Sequence, residues 1–532
     1  GLCMSKEADY ALSKGRNKIT IKHKGLIYVK YHTDDYQNLK PVKINFPTAS
    51  VNGYFDMTKH NIEDFGTIFN LEKSANQPHF DLLTSKCLLN FPKTHYLTFT
   101  MSSNLRNAER VLDLLTIYDS VVTIQERIQG HDKYKAQGLQ RGHRNKALFS
   151  THYGSTYGFS TAYRTAYNVK SMAQGITNPT NLWNKKATVF NNNIVGGIWG
   201  LAHELGHSNQ TSAFKWIGLT EVTNNLMCAI IQSILYGEGH TTMLYNDHFN
   251  KGMSDIATRL VTDRDGKVRR MTHCESVNTP SYGKVNGNVD PTTQLMPFWQ
   301  LYMYYHLVKG NTDFYPDFYE LCRTCVEQPS TDAGHSQYMI DFVKRASDAA
   351  GEDLSDFCKA WGLPGVNNKM KVTHYGTRYI TTTQEQIDEA AAYCKKYPKP
   401  TLNPFYINDT NIDMFRNPQP VTAGTHTYTD NGKYTMSGWS GVVAWKLVDP
   451  DTGATLCIHT NDASFTFAYQ ATVYMNNESG NDYLYSSDSS YATSDSGTMR
   501  ALKQVEKVYY PNALVYGIAA DGTEVASLGN SK

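Results

Sequence analysis

The chain has almost no net charge: over 532 residues, 51 lysines and arginines face 49 aspartates and glutamates, a balance of +2. That removes the electrostatic argument for a nucleic acid or an acidic membrane surface as partner, since both call for a basic excess. Long apolar runs are missing too. None approaches the ~18 residues that a membrane-spanning helix needs, and the mean hydropathy is −0.48. The nine cysteines do not show the paired spacing of a disulfide framework. Their one close pair, Cys322 and Cys325, lies in an apolar-periodic helical segment with no second pair to complete a four-cysteine zinc site. Buried free thiols are the expectation. What remains is a globular chain too long for one core, for which about two to four domains and a monomer are expected.

Aromatic residues are plentiful, with 36 tyrosines beside 21 phenylalanines and 7 tryptophans. Tyrosine and tryptophan suit sugar recognition, because a ring face packs on a pyranose while its polar edge bonds hydroxyls. Most such residues nevertheless serve cores and sheets, so the excess permits glycan binding without indicating it.

The informative segment is His203-Glu204-Leu205-Gly206-His207. Two imidazoles four residues apart share one face of a helix and can reach one tetrahedral metal, while Glu204 projects toward a water at that metal. Ile198, Leu201, Ala202 and Leu205 flank the motif at helical spacing, so the helix is half buried and its polar face needs a partner. A catalytic zinc keeps three protein ligands and one open position. Glu221, fourteen residues beyond His207, opens a second helix in which Thr220 reads as the N-cap. Leu226, Met227, Ile230, Ile231, Ile234 and Leu235 form that helix's apolar stripe and Gly237 ends it. Glu221 reads as the third ligand, against the plainer role of helix-dipole partner, and Glu238 is the fallback. The downstream His-x-x-Gly-x-x-His of another zinc-peptidase class is absent, because Gln210 and Ala213 stand where it would need other residues.

The run from Gly196 to Gln210, with Glu221-Val222-Thr223-Asn224-Asn225, resembles the enhancin-like M60 peptidases, a gluzincin family. The segments Leu295 to Tyr302, Phe342 to Ser347 and Asp353 to Gly362 fit the same pattern, as do Gly25 to Val29 and Asn52 to Asp56. The resemblance spans about residues 20–370. It implies a metallopeptidase with one catalytic Zn²⁺ held by His203, His207 and Glu221, and with Glu204 as general base. Several members cleave mucin-like proteins beside an O-glycosylated serine or threonine, which implies a glycoprotein or mucin substrate. A general zinc endopeptidase without sugar dependence and a glycan-binding surface protein with a vestigial site are the rival readings. A secreted or bacterial cell-surface location is implied, the export signal not being in this chain, and Cys3 is open to reading as a lipid-attachment remnant. In similar peptidases a strand upstream of the zinc helix pairs with the substrate backbone. Tyr163 to Val169, with Tyr163 and Arg164 as substrate-binding residues, is assigned that role, against the alternative of an interior strand. Trp199 either lines the cleft or packs beneath the helix. Asn225, one turn beyond Glu221, either orients it or faces solvent.

Along the chain the pattern predicts an α+β multidomain protein. Residues 1–100 read as β-rich, with a hairpin at Lys18 to Lys22 and Leu26 to Tyr31 and further strands at Val42 to Phe46 and His95 to Thr100. A zinc-peptidase catalytic domain with a helical subdomain follows over 101–397, entered by an amphipathic helix from Asn104 to about Gly130. Later helices are expected around Trp299 and Cys322, at Gln337 to Ala349 and Leu354 to Trp361, and after a capping-box start at Thr383. The proline-rich stretch from Tyr397 to Pro404 is a boundary, and residues 405–532 read as an immunoglobulin-like β-sandwich. That domain either binds glycans or supports the catalytic one.

Overall fold

The computed structural model describes residues 10–21, 26–29, 38–47, 49, 52–70, 77–97, 108–139, 141, 146–161, 164–184, 198–238, 253, 260–262, 268–270, 272–274, 291–468, 491–493, 499–501 and 508–530. The chain forms two compact units, one of Gly1–Gln125 with Gly142–Ser208, the other of Glu126–Arg141 with Asn209–Lys532.

The first unit is built on a six-stranded mixed sheet of β1 (Tyr54–Asp56), β2 (His79–Leu83), β3 (Cys87–Pro92), β4 (Ala147–His152), β5 (Gly158–Ser160) and β6 (Arg164–Asn168), in the order β1-β2-β3-β4-β6-β5. Strands β3, β4 and β6 run parallel, while β5 folds back antiparallel on β6 to form one edge. Helix α1 (Ala108–Ile128) lays Val111, Leu114, Leu115, Tyr118, Val121 and Val122 into the core. Their spacing of three and four defines the buried face, and the Tyr118 ring meets Phe149 of β4 edge-on at 4.8 Å. Helix α2 (Ile198–Ser208) carries the two-histidine motif.

Several expectations change here. The β-rich character is not confined to residues 1–100, because the sheet runs from Tyr54 to Asn168 with α1 inserted. Residues 10–21, 26–29 and 42–46 hold no strand, and Ile21, Ile27, Val29, Val42 and Ile44 are exposed. Alternation specifies a half-buried strand only where a core exists to take one face. The remaining residues of the expected hairpin lie outside the described set. Lys93–His95 is a helical turn begun by Pro92, whose ring fixes φ and suits a helix start; the rest of that expected strand, 98–100, is also outside the described residues.

In the second unit α3 (Thr220–Tyr236) is buried from Val222 to Ser233, and of its expected apolar stripe Ile234 is the exposed member. Its buried surface takes in Thr223, Asn224, Asn225, Gln232 and Ser233 as well as the apolar stripe, and buried polar groups of this kind need hydrogen-bond partners. Helix α4 (Pro291–Tyr302) packs on α3, and α5 (Phe314–Thr324) and α6 (Asp332–Ala350) pack on each other. Phe214, Phe298, Phe318 and Phe342 join these elements in one aromatic cluster, with Phe214 edge-on to Phe298 at 4.9 Å and to Phe318 at 4.8 Å. Thr331 caps α6 by accepting the Gly334 N–H, and Gly351, at φ 65°, ends it in the left-handed conformation. Strands β7 (Asn367–Thr373) and β8 (Thr377–Thr382) form a hairpin closed by His374-Tyr375-Gly376. The helix Gln384–Cys394 starts with the expected capping box of Thr383 and Gln386.

Farther along, β9 (Thr425–Thr429), β10 (Lys433–Ser437), β11 (Ala444–Val448), β12 (Thr455–Thr460), β13 (Ser464–Thr466), β14 (Leu514–Ile518) and β15 (Glu524–Ala526) make two antiparallel sheets. One has the order β9-β10-β13, the other β12-β11-β14-β15. Tyr434 and Met436 from the first share a core with Trp445, Leu447, Leu456 and Val515 from the second. Alternate side chains of each sheet therefore face one apolar layer. Among the described residues the cysteines are free, and all but Cys325 are buried.

Candidate metal centre

Helix α2 is fixed from three sides within its unit. The Tyr167 hydroxyl of β6 donates to the Leu201 carbonyl at 3.0 Å, and Gln125 Nε2 of α1 donates to the Ala202 carbonyl at 2.9 Å. The Ser208 hydroxyl meets that of Ser160, on edge strand β5, at 2.6 Å. So held, the helix turns Ile198, Trp199, Leu201 and Ala202 inward and leaves His203 and His207 half-buried on one side. Their rings stand 4.9 Å apart at 86°. Glu204 lies between them in sequence and is only 7% exposed. Edge strand β5 passes directly over its carboxylate, since a Cβ on Gly158 would fall 2.3 Å from Glu204 Oε1.

The approach to α3 is equally determined. The Ile217 N–H donates to His335 Nδ1 at 3.0 Å, and burial, reinforced by the Arg378 charge, pushes His335 below the usual histidine range. A ring nitrogen that accepts an N–H is unprotonated, so the shift and the bond agree. Gln210 Nε2 then reaches the Thr220 carbonyl at 2.8 Å and the Thr223 hydroxyl at 2.7 Å. Thr220 is the first residue of the helix rather than its expected cap. The N-cap position is taken by Leu219, whose carbonyl receives the N–H groups of both Val222 and Thr223. This tight turn leaves Glu221 at φ −93° and ψ 15°, off the helical values.

The ligand atoms of His203, His207 and Glu221 lie within 4.8 Å of one another. Two imidazole nitrogens and a carboxylate oxygen are the donors that a borderline divalent ion takes, and among the described residues these three are grouped, as at a site that keeps a fourth position for water. The donor set therefore fits a catalytic rather than a closed structural ion. Glu238, the fallback, is engaged elsewhere, with its Oε1 2.8 Å from Arg416 Nη2. Trp199, within the helix itself, is buried. Asn225 Nδ2 donates to the main-chain carbonyl of Glu221 at 2.7 Å, so it braces the backbone of that residue. Arg164 is buried, with its guanidinium 5.1 Å from the Phe159 ring centre and 3.4 Å from the Ser150 hydroxyl. Its strand is paired on both sides, with β4 and β5, so it is an interior strand, and among the described residues the edge at this end of the sheet is Gly158–Ser160. Tyr163 lies outside the described residues.

The structure adds a residue that sequence reasoning did not reach. Tyr375, at the tip of the β7–β8 hairpin, donates its hydroxyl to Glu221 Oε1 at 2.8 Å across 154 residues of sequence. A Tyr-Gly turn between two alternating runs announces the hairpin but not where its tip lands.

A helix-borne pair of histidines around a buried glutamate, with a glutamate from the next helix, is a donor set that suits a divalent metal ion. The chain belongs to the peptidase M60, enhancin and enhancin-like family, whose profile matches residues 82–362, just over half of its length. Among solved structures, a metallopeptidase from Bacteroides thetaiotaomicron aligns with a TM-score of 0.62 at 21% identity, over 91% of this chain and 71% of that one. A metallopeptidase in complex with Tn antigen gives 0.62 at 22% identity, over 91% and 78%. The M60 catalytic domain of ZmpC from Clostridium perfringens, in complex with the sialyl T antigen, gives 0.52 at 16% identity, over 89% and 75%. At these identities the likeness is one of fold. No curated protein matches the sequence.

Proposed function

We propose that the chain is a zinc-dependent endopeptidase that hydrolyses peptide bonds of mucin-like, O-glycosylated proteins. The observation that carries the reading is the convergence of His203, His207 and Glu221 beside the buried Glu204. Those three side chains hold the ion, and zinc bound there supplies a Lewis acid that polarises the scissile carbonyl and acidifies a water. Glu204 accepts the water's proton and returns it to the leaving amine. The glycan side of the reading is supported by the two solved relatives that carry Tn and sialyl T antigens.

We further read residues 405–532 as an immunoglobulin-like domain, glycan-binding or supporting, that follows a catalytic portion ending near 397. A secreted or cell-surface location accords with this substrate. No described helix is long and apolar enough to cross a membrane.

The test compares a peptide carrying a single O-linked N-acetylgalactosamine with its sugar-stripped twin, each incubated with the zinc-loaded chain and with Glu204→Gln. Cleavage of the glycopeptide alone, lost by at least about 100-fold in Glu204→Gln with zinc retained, is expected. Equal cleavage of both peptides makes the chain a general zinc endopeptidase. Undiminished cleavage by Glu204→Gln removes that residue from the chemistry.

A further inference from the structure

We propose that Tyr375 is a positioning residue of the metal centre, a hydroxyl tether delivered by the β7–β8 hairpin that sets the orientation of the Glu221 carboxylate. The inference rests on Glu221 being a zinc ligand. It concerns a residue beyond the segment 82–362 that the family profile matches.

Three observations converge on it. The hydroxyl donates to Glu221 Oε1 at 2.8 Å, a normal length for such a bond to a carboxylate. The residue is 80% exposed and its ring meets that of the adjacent His374 at 4.8 Å, so its placement does not come from burial in a core. Its backbone sits at φ 52°, the left-handed region that side chains with a Cβ seldom enter and that persists where the surroundings or a function hold it. The base of the hairpin is anchored independently of the tip. Arg378 Nη2 of β8 donates to the Ser330 carbonyl at 2.9 Å, and the Thr381 N–H of the same strand donates to the Ser336 hydroxyl at 3.2 Å. A fixed base and a strained tip present the phenol to one carboxylate.

The physical need is specific. A ligating carboxylate has two equivalent oxygens on a broad terminal torsion, and Glu221 stands where the helix backbone has left its regular path. A donor on Oε1 makes the two oxygens inequivalent and fixes the carboxylate plane. Partners of this kind around a ligand are worth about 10–100-fold in metal affinity.

The experiment titrates Zn²⁺ into the metal-free full chain against a competing zinc-binding dye, and records the melting temperature of the same metal-free samples. Tyr375→Phe is expected to weaken zinc binding by about 10–100-fold with the melting temperature unchanged. Tyr375→Gly, which fits the left-handed backbone, is expected to lose the same affinity with a melting temperature at or above that of the unchanged chain. Affinity and stability moving apart is what a structural role for the hairpin does not produce. Zinc affinity in Tyr375→Phe equal to that of the unchanged chain overturns the proposal. So does intact affinity with a fallen kcat, which places the hydroxyl on substrate instead. Glu221→Ala supplies the reference loss: if it weakens zinc and Tyr375→Phe does not, only the tether falls. If the unchanged chain itself fails to bind zinc, the underlying reading falls and takes the tether with it.

Discussion

At Gly158 the missing side chain makes room for the Glu204 carboxylate. A methyl there would stand 2.3 Å from Oε1, 2.8 Å from Cδ and 3.0 Å from Cγ of Glu204. Glu204 is buried against that backbone, so the collision is relieved by moving its carboxylate or the strand that carries residue 158. Gly158→Ala is expected to lower kcat by about 100-fold, the scale of an ångström of misplacement at a reacting group. Its zinc stoichiometry by metal analysis should match that of the unchanged chain, because His203, His207 and Glu221 are untouched. A kcat within twofold of normal would show that Glu204 has room to spare. The residues legible in the sequence are those whose geometry is local: His203, Glu204 and His207 owe their arrangement to one helix, and Glu221 to the next. Gly158 and Tyr375 were not legible. A glycine before an alternating run reads as a turn, and no spacing rule connects a hairpin tip to a carboxylate 154 residues earlier.

Among the elements, α3 shows how one polar side chain sets a helix start. Gln210 bonds the Thr220 carbonyl and the Thr223 hydroxyl, and its Nε2 also stands 3.4 Å from the Leu219 carbonyl. These bonds tie the incoming loop to the turn that bears Glu221. Gln210→Ala frees that turn while leaving both histidines in place. Zinc affinity is expected to fall about tenfold, at the lower end for a supporting partner of a ligand, as measured by dye competition; unchanged affinity would make the Gln210 bonds incidental to the centre. At this scale the sequence predicted helices well, because apolar residues at spacings of three and four point to one face whatever lies beyond it. The Thr383 capping box was readable for the same reason, being complete within four residues. Strands near the N-terminus were misread because alternation states a preference for two environments, and residues such as Ile27 and Val42 have no core on either side. The fate of β6 was open for a related reason: which strand of a sheet lies at its edge depends on chain order, here β4-β6-β5.

For the molecule as a whole, the two units and the C-terminal pair of sheets share the stability among several cores. Leu447, fully buried, lies beside Val515 in its own sheet and shares one core with Tyr434 of the other sheet, a core against which Val421 and Tyr428 also pack. Leu447→Ala should destabilise that part of the chain by about 2–5 kcal/mol, seen as a lower midpoint of its urea transition. Zinc content at low denaturant is expected to stay the same; its loss would mean that the two cores unfold as one. The β character of this region was legible from its turns and short strands, whereas the division of strands between sheets required the fold. The free cysteines carry a consequence for every experiment above. With Cys87, Cys228, Cys274, Cys322, Cys358, Cys394 and Cys457 buried and unbridged, these residues ask no oxidant to fold. Their thiols are hidden from alkylating reagents until the chain around them opens, so each serves as a built-in clock whose labelling time reports how often its own neighbourhood comes apart.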